Sequence, residues 1–166
     1  LSADSGLHWS LSGPNGPEVI DRDLRQSDAL DAPSSALLDL AAGDYTLTVS
    51  ADDATTGAYS FRLLDATIGS SAVTAFTLGD DVTATLDEPA GTTLYSFSAS
   101  AGDVVSFDIE TGADSAAWVL YDPYGRPVLG PGNVEDVAGL TLGATGTYLL
   151  AIEGFLDATD VATVEF

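Results

Sequence analysis

Cysteine, methionine and lysine are all missing from this chain, and histidine occurs once. Without cysteine there is no disulfide, no thiolate metal site and no thiol nucleophile. A serine–histidine–aspartate relay needs a histidine, and only His8 is available. It sits beside Trp9 in a segment whose Leu7, Trp9 and Leu11 alternate inward, so His8 is expected to face outward as an ordinary strand residue. The only cationic side chains are Arg22, Arg25, Arg62 and Arg126, against 26 acids, for a net charge of −22. Nucleic-acid binding is driven by Lys and Arg, so nucleic acid is excluded as a partner, and an anionic membrane surface is disfavoured for the same reason. No apolar run approaches the roughly 20 residues that a spanning helix needs, which argues against membrane insertion. With no Met at its start, the chain is expected to be a processed product or a piece of a longer one.

What the chain does have is alternation. Apolar residues make up 45%, and Thr, Val, Tyr and Phe recur two apart between short Gly, Asp or Pro punctuations, the pattern of an antiparallel sandwich. In Tyr95-Ser-Phe-Ser-Ala99, Tyr45-Thr-Leu-Thr-Val49 and Val105-Ser-Phe-Asp-Ile109 one face is apolar and the other polar, so one face is expected dry and one wet. The pattern predicts strands near 7–11, 18–20, 36–40, 45–50 and 58–64, then near 73–77, 82–86, 93–99, 103–110, 116–121, 127–129, 136–142, 147–153 and 162–166. A weak pattern over Asp21–Asp31 predicts at most a short helical turn.

The chain also repeats itself. Trp9-Ser-Leu-Ser-Gly-Pro-Asn-Gly-Pro-Glu-Val-Ile20 returns as Trp118-Val-Leu-Tyr-Asp-Pro-Tyr-Gly-Arg-Pro-Val-Leu129. Each reads as a strand, a Pro-x-Gly turn and a second strand, the composition of a β-hairpin. Tyr45, Leu47 and Val49 likewise return as Tyr148, Leu150 and Ile152, and at the same spacing Tyr59, Phe61 and Leu63 fall on Ala162, Val164 and Phe166. A repeat of this kind sets the domain reading. Residues 1–65 are expected to form a partial β-sandwich and 66–166 a complete one, because the second Trp is preceded by a full half-domain and the first by eight residues. The fold class expected is all-β: tandem antiparallel jelly-roll-like sandwiches, the first lacking its N-terminal half.

These motifs resemble one family. Leu142-Gly-Ala-Thr-Gly-Thr-Tyr148 and Leu40-Ala-Ala-Gly-Asp-Tyr-Thr-Leu-Thr-Val49 are similar to the L-x-x-G-x-Y end of bacterial pre-peptidase C-terminal (PPC) domains. Tyr95-Ser-Phe-Ser-Ala-Ser-Ala-Gly-Asp103 resembles that family's Y-x-F-x-A-x-A-G-D strand pair. Leu120-Tyr-Asp-Pro-Tyr-Gly125 resembles its L-Y-D-P-x-G hairpin, and Gly57-Ala-Tyr-Ser-Phe61 its terminal strand. The resemblance covers nearly all of 68–166 and the back half of the motif over 7–64; the last strand, Asp160-Val-Ala-Thr-Val-Glu-Phe166, departs from it. It implies a jelly-roll-like accessory module of secreted proteases and long bacterial surface proteins, not itself catalytic, some members of which bind Ca²⁺ or adhere to polymers.

Candidate chemistry is sparse. Carboxylates are the hard oxygen donors that Ca²⁺ takes, and Asp52, Asp53, Asp157 and Asp160 fall in the equivalent turn of the two copies; Asp80-Asp81 and Asp87-Glu88 are further acid pairs. The plainer reading of all of them is solvated turn acids. Paired carboxylates can hydrolyse glycosides, but with 26 acids some pair always lies at that separation, so no catalytic residue is assigned. Tyr121, Tyr124 and Phe155 are candidates for a ligand-contacting surface, set against their reading as plain loop residues. Trp9 and Trp118 belong to the core. The function expected is a non-catalytic structural module of a repetitive extracellular or cell-surface bacterial protein, a stalk or filament, partnered by other copies of itself or by neighbouring repeats. The alternative is an accessory module that binds polysaccharide or protein.

Overall fold

A computed structural model describes residues 6–27, 36–52 and 59–166. The chain divides into two compact units, Leu1–Arg62 and Leu63–Phe166. Both are built from strands, and the molecule is all-β.

The first unit holds one antiparallel sheet of order β2-β1-β3, with β1 at Leu7–Gly13, β2 at Gly16–Asp23 and β3 at Thr46–Ala51. Pro14-Asn15 turns β1 into β2, with Gly13 opposite Gly16. A Pro and a Gly with φ of +107° meet the backbone demands of so tight a loop. Leu7, Leu11 and Val19 are buried on one face, together with Leu24 from a 3-10 turn over Leu24–Ser27. That turn lies within the stretch where a short helical turn was expected. Its Ser27 hydroxyl accepts from Trp9 Nε1 at 2.8 Å, and Arg22 sets its guanidinium 5.6 Å from the Trp9 ring centroid. Ala36–Leu40, expected as a strand, is irregular. Tyr59–Leu64 forms no strand either, and the start of that expected element, Ala58, lies outside the described residues.

The second unit is a two-layer structure. One layer is a five-stranded sheet, β4-β6-β11-β8-β9, from Val73–Ala75, Thr92–Ala99, Gly146–Glu153, Ala117–Tyr121 and Pro127–Asn133. The other comprises two two-stranded ladders. One pairs β10 (Val137–Thr141) with β7 (Val104–Phe107), and the other pairs β12 (Thr163–Glu165) with β5 (Thr83–Thr85). A bridge between Thr111 and Glu165 links the two. Trp118, Leu120, Phe97, Tyr148, Leu150 and Ile152 of the large sheet close on Ala84, Phe107, Val134, Leu142 and Val164. Phe97 and Tyr148 sit opposite each other across β6 and β11, their rings stacked 5.5 Å apart. Burying a large apolar side chain contributes about 1.5–3 kcal/mol, so this cluster dominates the unit's stability.

One expectation needs correction here. The sheet is not wholly antiparallel: β4 runs parallel to β6. Between them the chain crosses to the other layer as β5, and a strand that returns to its sheet by crossover comes back in the same direction. On the central strands β8 and β11 both faces are dry. Ala117, Val119, Tyr121, Leu149 and Ala151 alternate with the core residues and are buried as well. The near-continuous apolar runs Ala116–Tyr121 and Tyr148–Ile152 carry that signal.

The two units share a local plan. Trp9 lies opposite Val49 and Leu11 opposite Leu47; Trp118 lies opposite Ile152 and Leu120 opposite Leu150. The Tyr45 hydroxyl donates to the Ala41 carbonyl at 2.7 Å, and the Tyr148 hydroxyl to the Ala144 carbonyl at 2.8 Å. Gly43 leaves room for Pro14 and Gly146 for Pro123, since a Cβ on either glycine would lie within 3 Å of the proline ring. Order β2-β1-β3 thus matches order β9-β8-β11 in pairing, in the register of β1 on β3 and β8 on β11, and in the hydrogen bond that pins the turn before the last strand, while the hairpins differ by one residue in register, Leu11 facing Val19 and Leu120 facing Leu129.

Candidate functional site

Of the acids proposed as metal ligands, Asp52, Asp157 and Asp160 are exposed in loops. Asp52 is exposed in the bend after β3, where its carboxylate lies 3.3 Å from Nε2 of His8; Asp53 lies outside the described residues. Asp157 and Asp160 are exposed in the loop between β11 and β12, Asp160 accepting from the Thr159 hydroxyl at 3.4 Å. Asp80 accepts from the Thr77 N–H and Asp103 from the Ser100 N–H, three residues back in each case. Asp65 and Asp23 accept from the amides two residues on. Short carboxylate side chains that bond nearby amides are standard turn chemistry. Among the described residues no group of three or more acids or histidines is placed to hold a cation.

His8 lies off the face of the buried Leu7 and Leu11, but its side chain is only 19% exposed and is not isolated. Its Nδ1 lies 3.4 Å from the Asp21 carbonyl and its Nε2 faces Asp52. The Asp21 carbonyl raises its pKa above the usual imidazole value; partial burial opposes this, and the Asp52 and Asp21 carboxylates add to the rise. The spacing of the sequence carried no hint of this pairing, because Asp21 reaches His8 across the hairpin and Asp52 across β3.

Of the three aromatic candidates, Tyr121 is a correction. It ends β8 with 3% of its surface exposed, so its ring is no platform for a ligand. Tyr124 is 72% exposed at the hairpin tip, with the Arg126 guanidinium 5.1 Å from its ring centroid. Phe155 is half-buried in the β11–β12 loop. What organises this tip is Asp122, which sequence reasoning passed over. Its carboxylate is almost wholly buried and accepts from the Tyr124 and Arg126 amides and from Arg126 Nε and Nη2. Burial pushes its pKa up, but the bonds from the Arg126 side chain and amide and from the Tyr124 amide outweigh it and leave the carboxyl below its ordinary value. The Asp-Pro-x-Gly-Arg order was the available signal: a turn former with a cation four residues on.

One open cleft, about 450 Å³, lies beside the β5–β12 ladder and is lined by Asp81, Val82, Thr83, Glu110, Glu165 and Phe166. Of its acids Glu165 is engaged locally, its carbonyl accepting from the Glu110 N–H at 2.9 Å and its carboxylate from the Thr111 hydroxyl at 3.2 Å.

The second edge of β3 differs in kind from these. In the second unit β11 is paired on both sides, by β8 and by β6. Among the described residues its counterpart β3 is paired by β1 alone. The Asp52 N–H donates to the Gly6 carbonyl at 3.1 Å, which makes Gly6–Asp52 a hydrogen-bonded pair. By the alternation of an antiparallel ladder, Ser50, Thr48 and Thr46 then bond to β1 as well, while the amides and carbonyls of Leu47, Val49 and Ala51 point the other way. The same phase holds in the second unit, where the Gly154 N–H donates to the Gly91 carbonyl on the β6 side. Side-chain exposure follows the pairing. Leu47 is 38% exposed and Leu150 wholly buried; Tyr59 and Phe61 are 48% and 52% exposed, while Ala162 and Val164 are buried.

No family model matches the chain, and no curated protein or solved structure matches it either.

Proposed function

We propose that the chain is a non-catalytic structural module of a repetitive bacterial surface protein, acting in a stalk or filament. In this reading it is a tandem of PPC-like sandwiches, the first of which is completed by a strand from elsewhere. The observation that carries the reading is the shared plan of the two units: one hairpin, one closing strand and one tyrosine hydrogen bond, set twice in a single chain. Proteins assembled from repeated units draw their stability from each unit and its neighbours, and grow in length by adding copies. The net charge of −22 supports the same reading, since mutual repulsion keeps long polypeptides soluble. The placing of acids as turn formers is consistent with a scaffold.

The test is the state of association. Electron microscopy and sedimentation of the full chain across a wide concentration range are expected to reveal concentration-dependent linear assemblies. A species that stays monomeric at every concentration counts against filament formation. The second reading, attachment to polysaccharide, is favoured by one feature, the exposed Tyr124 at a rigid tip. Retention on an insoluble polysaccharide that is lost in Tyr124→Ala supports it.

A further inference from the structure

We infer that the second edge of β3 is an acceptor for one added β-strand, antiparallel to β3, uncharged, and carrying Tyr and Phe two residues apart as β6 does. The donor is a free segment of this pattern on another polypeptide. This rests on the strand-completion part of the reading above.

Two independent observations carry it. The first is how the edges are guarded. An unpaired strand edge is ordinarily blunted with proline, charge or bulges, because it otherwise invites pairing with another chain. The opposite edge of the same sheet is guarded in all three ways: β2 contains Pro17, Glu18, Asp21 and Asp23, its pairing with β1 slips register, and Asp21 takes a φ of +49°. In the five-stranded sheet of the second unit, edge strand β9 carries Pro127 and Pro131 and edge strand β4 is three residues long. β3 is six residues, Thr-Leu-Thr-Val-Ser-Ala, with no charge, no proline and no register shift against β1. In a chain with 26 acids, an uncharged edge of that length is built for pairing.

The second observation is that the same molecule contains the filled version. β6 lies against β11 with Tyr95 opposite Leu150, Phe97 opposite Tyr148 and Thr93 opposite Ile152. Transferred through the shared register, an incoming strand places its Tyr opposite Leu47, its Phe opposite Tyr45 and its Thr opposite Val49. Its aromatic rings then cover the face on which Leu47 is half exposed, as Phe97 covers Tyr148. Backbone bonds of such an added strand supply affinity and the alternate side chains supply specificity. The absence of charge in Thr92–Ala99 also matters, since an acidic strand meets repulsion from this chain. The β6 of a folded second copy is a poor donor, because β4 and β11 already hold both its edges.

The probe is a capped synthetic peptide with the sequence of Thr92–Ala99, added to the full chain labelled for amide exchange. Saturating peptide is expected to slow exchange at Leu47, Val49 and Ala51 by roughly tenfold or more, and to leave the β11 amides, already paired with β6, unchanged. Val49→Pro removes an edge-facing donor at a position where β1 makes no bond to it, and is expected to abolish the slowing. A peptide with Ser in place of both its Tyr and its Phe leaves the protein untouched and is expected to bind at least tenfold more weakly, which covers the case in which Val49→Pro unfolds the unit. Slow exchange at these amides before peptide is added, no slowing at millimolar peptide, or undiminished slowing in a folded Val49→Pro overturns the proposal. Peptide binding to a chain that never forms filaments keeps the acceptor edge and removes the filament role.

Discussion

The hydroxyl of Tyr148 closes on both polar groups of Ala144, donating to its carbonyl at 2.8 Å and accepting from its N–H at 3.1 Å. Both residues are buried, so the pair satisfies two backbone groups that have no access to water. Removing one partner of a buried hydrogen bond leaves the other desolvated and unmade, at about 1–3 kcal/mol. Tyr148→Phe is therefore expected to lower stability by about that amount, read by urea unfolding in a Trp9→Phe background where Trp118 alone reports. Tyr45→Phe, at the exposed counterpart, is expected to shift the midpoint much less. Equal shifts in the two variants sink the argument from burial.

Asp122 anchors the second hairpin. Its folded pKa lies below the unfolded value, so its contribution is fully present above the ordinary carboxylate range, near pH 3.9, and is lost as pH falls through the lowered folded value. Asp122→Ala removes hydrogen bonds to a charged group, worth about 1.5–3 kcal/mol. The stability gap between wild type and variant, measured from pH 6 down to pH 2, is expected to close as the acid limit is approached. A gap that stays constant with pH means that the side chain acts by packing and not by charge.

His8 has the opposite sign. Its pKa is raised in the folded state, so its contribution is complete below the unfolded value, near pH 6.5, and fades as pH rises through the folded one. An NMR titration of the imidazole is expected to give a midpoint above 6.5, and Asp52→Asn to bring it down. A midpoint unmoved by that substitution leaves Asp52 without influence on the ring, despite the 3.3 Å separation.

Trp9 and Trp118 hold equivalent register positions under different covers. Phe107 meets Trp118 edge-on with centroids 5.0 Å apart, and Trp118 is buried. Over Trp9 stands the Arg22 guanidinium at 5.6 Å, and the indole is only partly buried. In single-tryptophan variants acrylamide is expected to quench Trp9 several-fold more efficiently than Trp118. Trp118→Ala is expected to cost about 3–5 kcal/mol, and Trp9→Ala less.

Much of the fold was legible because strand formation here is local. Alternation, Pro-x-Gly turns and the paired Trp hairpins placed β1, β3, β6, β8 and β11 close to their observed bounds and found the middle of β2. The matched Tyr45 and Tyr148 also named in advance the pair that makes the common hydrogen bond, although the bond itself is a backbone contact no residue pattern spells out. Ala36–Leu40 failed because alternation states only that a segment can be a strand; a ladder also needs a partner at the right distance. Tyr121 was misplaced because position in a turn sequence does not say whether a second surface covers the residue.

The sequence by itself determined the class of fold and the exclusion of thiol and polycationic chemistry, since those follow from residue type and short-range periodicity. Only the tertiary structure decided that β4 returns parallel and that both faces of β8 and β11 are dry. It alone decided, too, that among the described residues β3 is paired on one edge where β11 has a neighbour on each side. Each of these depends on which distant segments meet, and that meeting is set by the closing of two layers on a shared apolar core, not by any property carried along a short stretch of chain.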